Sequence, residues 1–283
     1  MNPLGPRIID LGLFTDLDNR LLDLLAELEP NDWHRPTVCA KWTVKDIASH
    51  ILDTSCRRLS MGRDHHSARP PAEALTSHDA ILRYIHRLNA EWTAATERLS
   101  PRVLLEFLRI ALPQSAKFLA SLNPMETGLG VLWAGEQTSR NWMDVSREYT
   151  ERWHHQQQIA LAVGRSSGIT ARRLYYPALE TFLRALPFTL RDVHRPRGTT
   201  MRVSIIGDSG GDWCAHQRGE GWVLSEECPA AASATANVPQ DDAWLMFTKR
   251  WDRPTKMSRF PGVRVEGDQE LGLKIWDMVS IMA

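Results

Sequence analysis

The chain carries no surplus of charge. Its 283 residues hold 34 Lys plus Arg against 34 Asp plus Glu, and each half is near balance. That excludes the basic footprint of a nucleic-acid-binding protein and a long acidic tail. Long apolar runs are also missing. The longest uncharged stretch, Cys228 to Gln240, is rich in Ala, Ser and Pro and too short to cross a bilayer. The opening MNPLGPRIIDLGLF has no basic n-region, and Asp10 interrupts its apolar residues. No secretory signal is expected, and a cytoplasmic location is. Cysteine is scarce: Cys39, Cys56, Cys214 and Cys228, with no CxxC pair. The expectation is free thiols, with neither a disulfide framework nor a cysteine zinc site. No internal repeat is present.

What is present reads as two halves, as the length alone suggests. Leucines at 17, 21, 24, 25 and 28 form one helical stripe over 15–28. TVKD (43–46) resembles a capping box with Asp at its fourth place and opens a second helix with Val44, Ile47, Ala48, Ile51 and Leu52 on one face. Residues 61–74 read as a loop. A third helix is expected over about 77–99. Ser100-Pro101 supplies an N-cap and first-turn proline for a fourth, which Pro113 should kink or end. A loop rich in Gly and Pro covers 123–135. A long helix then runs over about 139–163 to Gly164, a suitable C-terminal residue.

The pattern changes near Ser166. A helix over about 174–187 is followed by β-like runs at 201–207, 212–218, 221–226 and 233–238, a helical run at 241–250, a short strand at 262–268 and a closing helix at 269–282. The expected fold class is thus an α N-terminal bundle of four to five helices, residues 1–165, followed by a smaller α+β C-terminal domain, residues 171–283.

Three residues carry candidate chemistry. Glu151 and His155 are four apart on a predicted helix, so their side chains point the same way. One metal ion can take an oxygen from the first and an imidazole nitrogen from the second. His50, on the second helix, can supply a third ligand across a bundle core. Helical angle separates the two neighbouring histidines. With Val145 at zero, His155 lies about 80° away at the rim of the apolar stripe, whereas His154 lies about 180° away and should face solvent. A Glu and His at this spacing also occur as a plain solvated pair, so the residues alone leave metal binding and a surface pair both open.

Two segments carry a family resemblance. PTVCAKWTVKDIASHILD (36–53) and REYTERWHHQQQIALAVG (147–164) resemble the second helix and the later ligand helix of the DinB-like superfamily. Glu at position 151 is similar to the mycothiol-dependent maleylpyruvate isomerase branch, where many other members have His. SATANVPQDDAWLMFTKR with VRVEGDQELGLKIWDMVSIM is similar to the sterol-carrier-protein-type-2-like domain that follows in that branch. FTKRWDRP, however, stands where a Gly-Arg pair is common. The resemblance implies His50, Glu151 and His155 as ligands of zinc or another divalent metal. Asp53, one turn after His50, would orient that imidazole, or be a plain surface aspartate. Arg147 would neutralise a substrate carboxylate, or else pair with Glu151 or Asp144. Arg264 is the candidate for a C-terminal arginine facing the cleft, or lies on a strand surface. Asp64, His65 and His66 form a polar loop with metal-like residue types, and His216 and Arg218 carry no assigned role.

The implied activity is that of a metal- and thiol-dependent enzyme, a thiol S-transferase or a cis–trans isomerase of a small electrophilic acid. Mycothiol or a similar low-molecular-weight thiol would be the cosubstrate. None of the four cysteines should then be essential, and Cys56 should be a small buried hydrophobe. Two other classes stay open on the residues: a hydrolase activating water at the same metal, and a non-catalytic small-ligand-binding protein with a structural metal. A small molecule is the expected partner. Of the eleven tryptophans, Trp33, Trp42, Trp92, Trp133, Trp142 and Trp153 fall in the helical half. They should be core, with a subset lining an apolar pocket above the metal.

Overall fold

The computed structural model describes residues 2–66, 78–219 and 221–281. The first half is helical. Helices α1 (Leu11–Ala26), α2 (Val44–Arg57), α3 (His78–Thr96) and α4 (Pro101–Ser121) precede a two-stranded hairpin, β1 (Thr127–Gly128) with β2 (Ser139–Arg140), and then α5 (Asn141–Val163). Helices α6 (Arg172–Leu183) and α7 (Leu186–Thr189) lead into strands β3 (Thr200–Ile206), β4 (Gly211–Arg218), β5 (Gly221–Ser225) and β6 (Ala234–Pro239). The chain closes with α8 (Gln240–Phe247), α9 (Arg253–Arg259), β7 (Arg264–Gly267) and α10 (Gln269–Gly272).

Contacts group these elements into two units. One holds Ile9–Asn123 with Glu151–Ile169, and the other holds Met1–Ile8, Pro124–Thr150 and Thr170–Ala283. The grouping does not follow one break near residue 166. Leu4 N donates to Leu224 O at 2.7 Å, and Arg7 pairs with Glu180. The first residues therefore belong with the C-terminal half.

Local chemistry sets the helix starts of the first unit. Asp10 accepts from Leu13 N at 2.8 Å to open α1. Thr43 and Asp46 form a reciprocal capping box at α2, which satisfies two otherwise orphaned N–H groups. Ser100 accepts from Val103 N, with Pro101 at the first position of α4. Apolar faces from these helices meet in one core that includes Leu21, Leu25, Ile47, Ile51, Leu104, Leu108, Leu112, Ile159 and Val163. Pro113 does not end α4, which continues to Ser121. Leu112, Ser115, Ala116 and Leu119 are buried on either side of it, and that burial offsets the roughly 3 kcal/mol an interior proline costs. The expected loop at 61–74 begins later than predicted, because Arg58–Arg63 continue from α2 as a π-helical turn. A Cβ on Gly62 there would stand 2.7 Å from the Phe118 ring. The part of that loop from residue 67 onward lies outside the described residues. At the end of α5, Gly164 takes φ +68°, the left-handed turn that favours glycine.

The second unit is built on a five-stranded sheet of order β5-β4-β3-β6-β7, antiparallel except for the parallel β3–β6 pair. Strand alternation sorts its side chains. Met201, Val203, Ile205, Trp213, Ala215, Ala234, Ala236 and Val238 are buried on one face, where α8 and α10 pack. The other face is polar, with Thr200, Arg202 and Ser204 opposite His216, Cys214 and Asp212.

Three expectations for this half are corrected. The run at 241–250 stops at Phe247, and α9 follows as a separate helix capped by Asp252, which accepts from Thr255 N at 2.9 Å. The closing helix is brief. After Gly272 the chain tightens into a 3-10 turn over Leu273–Asp277, then extends so that Ser280 N reaches Phe247 O and Met278 O receives Lys256 Nζ. Those tertiary bonds replace the helical ones. Finally, Cys214 and Cys228 are joined in a disulfide, so only Cys39 and Cys56 are free thiols. The Cα atoms of Cys214 and Cys228 are 5.4 Å apart, within the range a disulfide requires.

Candidate metal centre

The capping box fixes the start of α2 and places His50 two turns along, buried in the helical unit. Helix α5 supplies Glu151 and His155 one turn apart. The ligating atoms of His50, Glu151 and His155 all lie within 4.8 Å of one another, and no other such cluster of His, Cys, Asp or Glu occurs among the described residues. His155 Nε2 is 3.5 Å from Glu151 Oε2, and the His50 and His155 rings meet edge-on with centroids 4.8 Å apart. Trp42 covers both, its ring centroid 4.9 Å from His50 and 6.2 Å from His155.

The surroundings orient this set. His155 Nδ1 lies 2.8 Å from Gln158 Oε1, and the Cys39 thiol donates to the same oxygen at 3.2 Å. An amide oxygen only accepts, so Nδ1 carries a proton, and it is Nε2, on the Glu151 side, that would offer a lone pair to a metal. Burial holds His50 well below the ordinary imidazole pKa. His155 adds to that effect and Glu151 opposes it. The neutral imidazole is the form that ligates. His50 Nδ1 is buried without a hydrogen bond, an unmet demand of the kind a bound cation would satisfy. Two imidazoles and one carboxylate are a donor set for zinc-like divalent ions rather than for magnesium or calcium, which favour oxygen.

Not every predicted residue joins this group. Asp53 is buried, and its carboxylate pairs with Arg57 at 2.8 Å, one turn on. Burial raises its pKa while Arg57 opposes that. Arg147 bridges Asp144 at 2.9 Å and Glu148 at 2.6 Å, the pairing with Asp144 that the spacing allowed. Arg264 is exposed on β7 and donates to Val263 O at 3.1 Å. Asp64 pairs with its neighbour Arg63 at 2.7 Å. His216 donates from Nε2 to Glu227 O at 3.0 Å.

His154 does not face solvent as the helical angle predicted. It is 2% exposed, and its ring centroid is 4.0 Å from that of His155. The single-stripe picture fails because α5 is enclosed all round: Arg152, Trp153, Gln156, Gln158, Ile159 and Ala160 are buried as well. Arg152 explains how such a polar helix is tolerated. It donates to Asp18 at 2.5 Å and to Ser115 at 2.7 Å, and it lies 4.9 Å from the Phe14 ring centroid. Sequence reasoning passed over Gln158, whose signal was its place three residues after His155 on the same helix. Trp42, read only as one tryptophan among several, covers the centre directly.

No curated protein matches the chain significantly. Among solved structures, a mutant of the mycothiol-dependent maleylpyruvate isomerase is similar at 10% identity, over 83% of this chain and 86% of that one, with a TM-score of 0.50. A second structure of that isomerase matches at 11% identity over the same shares, with a TM-score of 0.49. At such identity the first likeness speaks for the fold. Residues 14–160, more than half of the chain and a span that includes His50, Glu151 and His155, match the mycothiol maleylpyruvate isomerase N-terminal domain, and the chain belongs to that family.

Proposed function

We propose that this chain is a metal- and thiol-dependent enzyme that isomerises a small unsaturated acid, or transfers a thiol to a small electrophile, in the manner named for its family. The observation that carries the proposal is the His50–Glu151–His155 cluster within the matched domain, both histidines buried and the glutamate partly so. These three residues would hold one divalent ion, with zinc the best fit to two imidazoles and a carboxylate. When bound with three protein ligands, such an ion keeps an open position and lowers the pKa of a thiol or water placed there. The chain's own groups prepare the site. Gln158 fixes the tautomer of His155, burial keeps His50 neutral, and Trp42 covers both rings. Mycothiol or a similar thiol is the cosubstrate. Addition of a thiol across a cis double bond, rotation about the resulting single bond and elimination of the thiol give the trans isomer with no net change in atoms. No described helix is long and apolar enough to cross a membrane, in keeping with a cytoplasmic enzyme acting on a small molecule.

The test combines metal analysis of the purified protein with turnover of maleylpyruvate at varied mycothiol concentration. One equivalent of metal is expected, lost in His155→Ala. Activity should saturate in thiol and persist when Cys39 and Cys56 are both Ser. Full turnover without added thiol would overturn the proposal in favour of a hydrolase. Bound metal with no turnover of maleylpyruvate or of any thiol conjugate would favour a binding protein.

A further inference from the structure

The polar face of the sheet in the second unit carries a feature unrelated to the metal centre. Residues 226–233 pass across it, tied down at four points. His216 donates to Glu227 O, Arg202 to Pro229 O, and Thr200 and Ser233 exchange backbone-to-hydroxyl hydrogen bonds at 3.1 and 3.2 Å. The fourth tie is the Cys214–Cys228 disulfide. Cavities of about 390 and 530 Å³ flank the segment, and Ala231 lines both.

The two sulfurs sit in different surroundings. Cys214 is wholly buried in the middle of β4, while Cys228 is partly exposed on the crossing segment. Arg202 is the residue directly opposite Cys214 on β3, which places their Cβ atoms about 4.5–5.5 Å apart on one face. Its guanidinium also reaches the carbonyl of Pro229, the residue after Cys228. One cation therefore stands in register with Cys214 and holds the residue next to Cys228. Arg202 Nε is buried and makes no hydrogen bond. Other ionisable groups on the face are His216, whose Nε2 serves Glu227, Asp212, whose carboxylate accepts from Ser204 at 2.5 Å, Arg218 beside His216 and Glu266 across the cavity from Arg202. Arg202 is thus a cation in register with Cys214 that keeps a donor to spare.

We infer that the Cys214–Cys228 disulfide is a site of exchange with a low-molecular-weight thiol, which becomes attached to Cys228. A thiolate attacks Cys228 Sγ, on the more exposed of the two residues. The S–S bond breaks, a new S–S bond joins the small thiol to Cys228, and the electron pair leaves on Cys214. Arg202 stabilises the departing Cys214 thiolate, and a lower leaving-group pKa speeds exchange. The reverse step, attack by the Cys214 thiolate on the mixed disulfide, restores the disulfide and releases the small thiol. Exchange removes the only covalent tie of residues 226–233 and leaves the weaker hydrogen bonds to hold the segment between its two cavities.

The test uses the full-length protein with reduced glutathione as probe, an iodoacetamide quench and peptide mass spectrometry. The untreated protein should show Cys214 linked to Cys228. Treated protein should carry glutathione on Cys228, with Cys214 alkylated by the quench. Arg202→Gln should slow adduct formation by about tenfold, the effect of losing a cation that shifts a leaving-group pKa by one to three units. Arg202→Lys should recover most of the rate. Faster exchange in Arg202→Gln would mean that the arginine only holds the segment down, and would overturn its assigned role. If Arg202→Gln does not fold, oxidised glutathione with the single cysteine variants decides. Cys214→Ser should accumulate the adduct on Cys228, and Cys228→Ser should take none on Cys214. Adduct on Cys214, or exchange seen only in urea, would refute the inference.

Discussion

Replacing Asp18 by Ala should destabilise the helical unit more than any change at its surface. Asp18 and Arg152 are both more than nine-tenths buried. In the variant the guanidinium keeps Ser115 and the Phe14 ring but loses its counter-charge. Removing one partner of a buried ion pair costs about 3–5 kcal/mol, because the other charge is left desolvated and unpaired. For a unit of this size each kcal/mol corresponds to roughly 2–4 °C in Tm, so a fall on the order of 10 °C is expected. The cost of the intact pair is a separate matter. Asp18 Oδ1 is buried without a partner, so the pair falls short of full compensation. Asp18→Leu combined with Arg152→Met removes both charges and should recover stability to within about 1–2 kcal/mol of the parent. Urea unfolding of the parent, Asp18→Leu, Arg152→Met and the double variant completes the cycle, with Asp18→Ala measured beside them. A cost below about 1 kcal/mol for Asp18→Ala would refute the reasoning, since it would mean that water or another group reaches Arg152.

Two other predictions follow from buried polar groups. Gln158→Leu removes the acceptor of the His155 Nδ1 proton, and loss of such an outer partner should weaken zinc binding about 10–100-fold by calorimetric titration. Unchanged affinity would show that Gln158 does not orient the ligand. Lys256 is fully buried, and burial lowers its pKa from 10.5 to about 8. Between those values the unfolded chain binds more protons than the folded one, so stability should rise with pH from about 8 to 10.5, by up to about 3 kcal/mol. The penalty is fully present below pH 8. Burial raises Tyr176 to about 12, which acts in the opposite sense above pH 10, so the quantity to measure is the parent minus Lys256→Met. A flat difference across pH 8–10 would contradict the shift.

The features legible from sequence are those set by a few neighbouring residues. Thr43 with Asp46, Ser100 with Pro101, and Gly164 each act through backbone groups within one turn, and local pattern is enough to place them. The proximity of Glu151 and His155 follows from helical spacing in the same way. His154 escaped because the angle argument assumes one buried face, whereas α5 buries polar residues on every side and satisfies Arg152 with a residue 134 positions away. That α4 runs on past Pro113, and that the closing helix is short, was not legible because distant packing and the bonds of Met278 and Ser280 decide them. The Cys214–Cys228 bond was missed because spacing alone does not show it. It needs the β4–β5 register, in which Cys214 pairs with Ser225 and so brings Cys228 within reach.

The grouping of α5 bears on how the chain emerges during synthesis. Its first turns group with Pro124–Thr150 and its later turns with Ile9–Asn123. When residue 123 leaves the ribosome, four helices are available but the segment with Ile159, Ala160 and Val163 that completes their core is not. At about 5–20 residues per second that segment arrives seconds later, and until then the apolar faces of α1, α2 and α4 lack their last cover. Glu151 and His155 arrive on the same stretch, so any metal site the chain forms waits, like the core, for α5 to emerge.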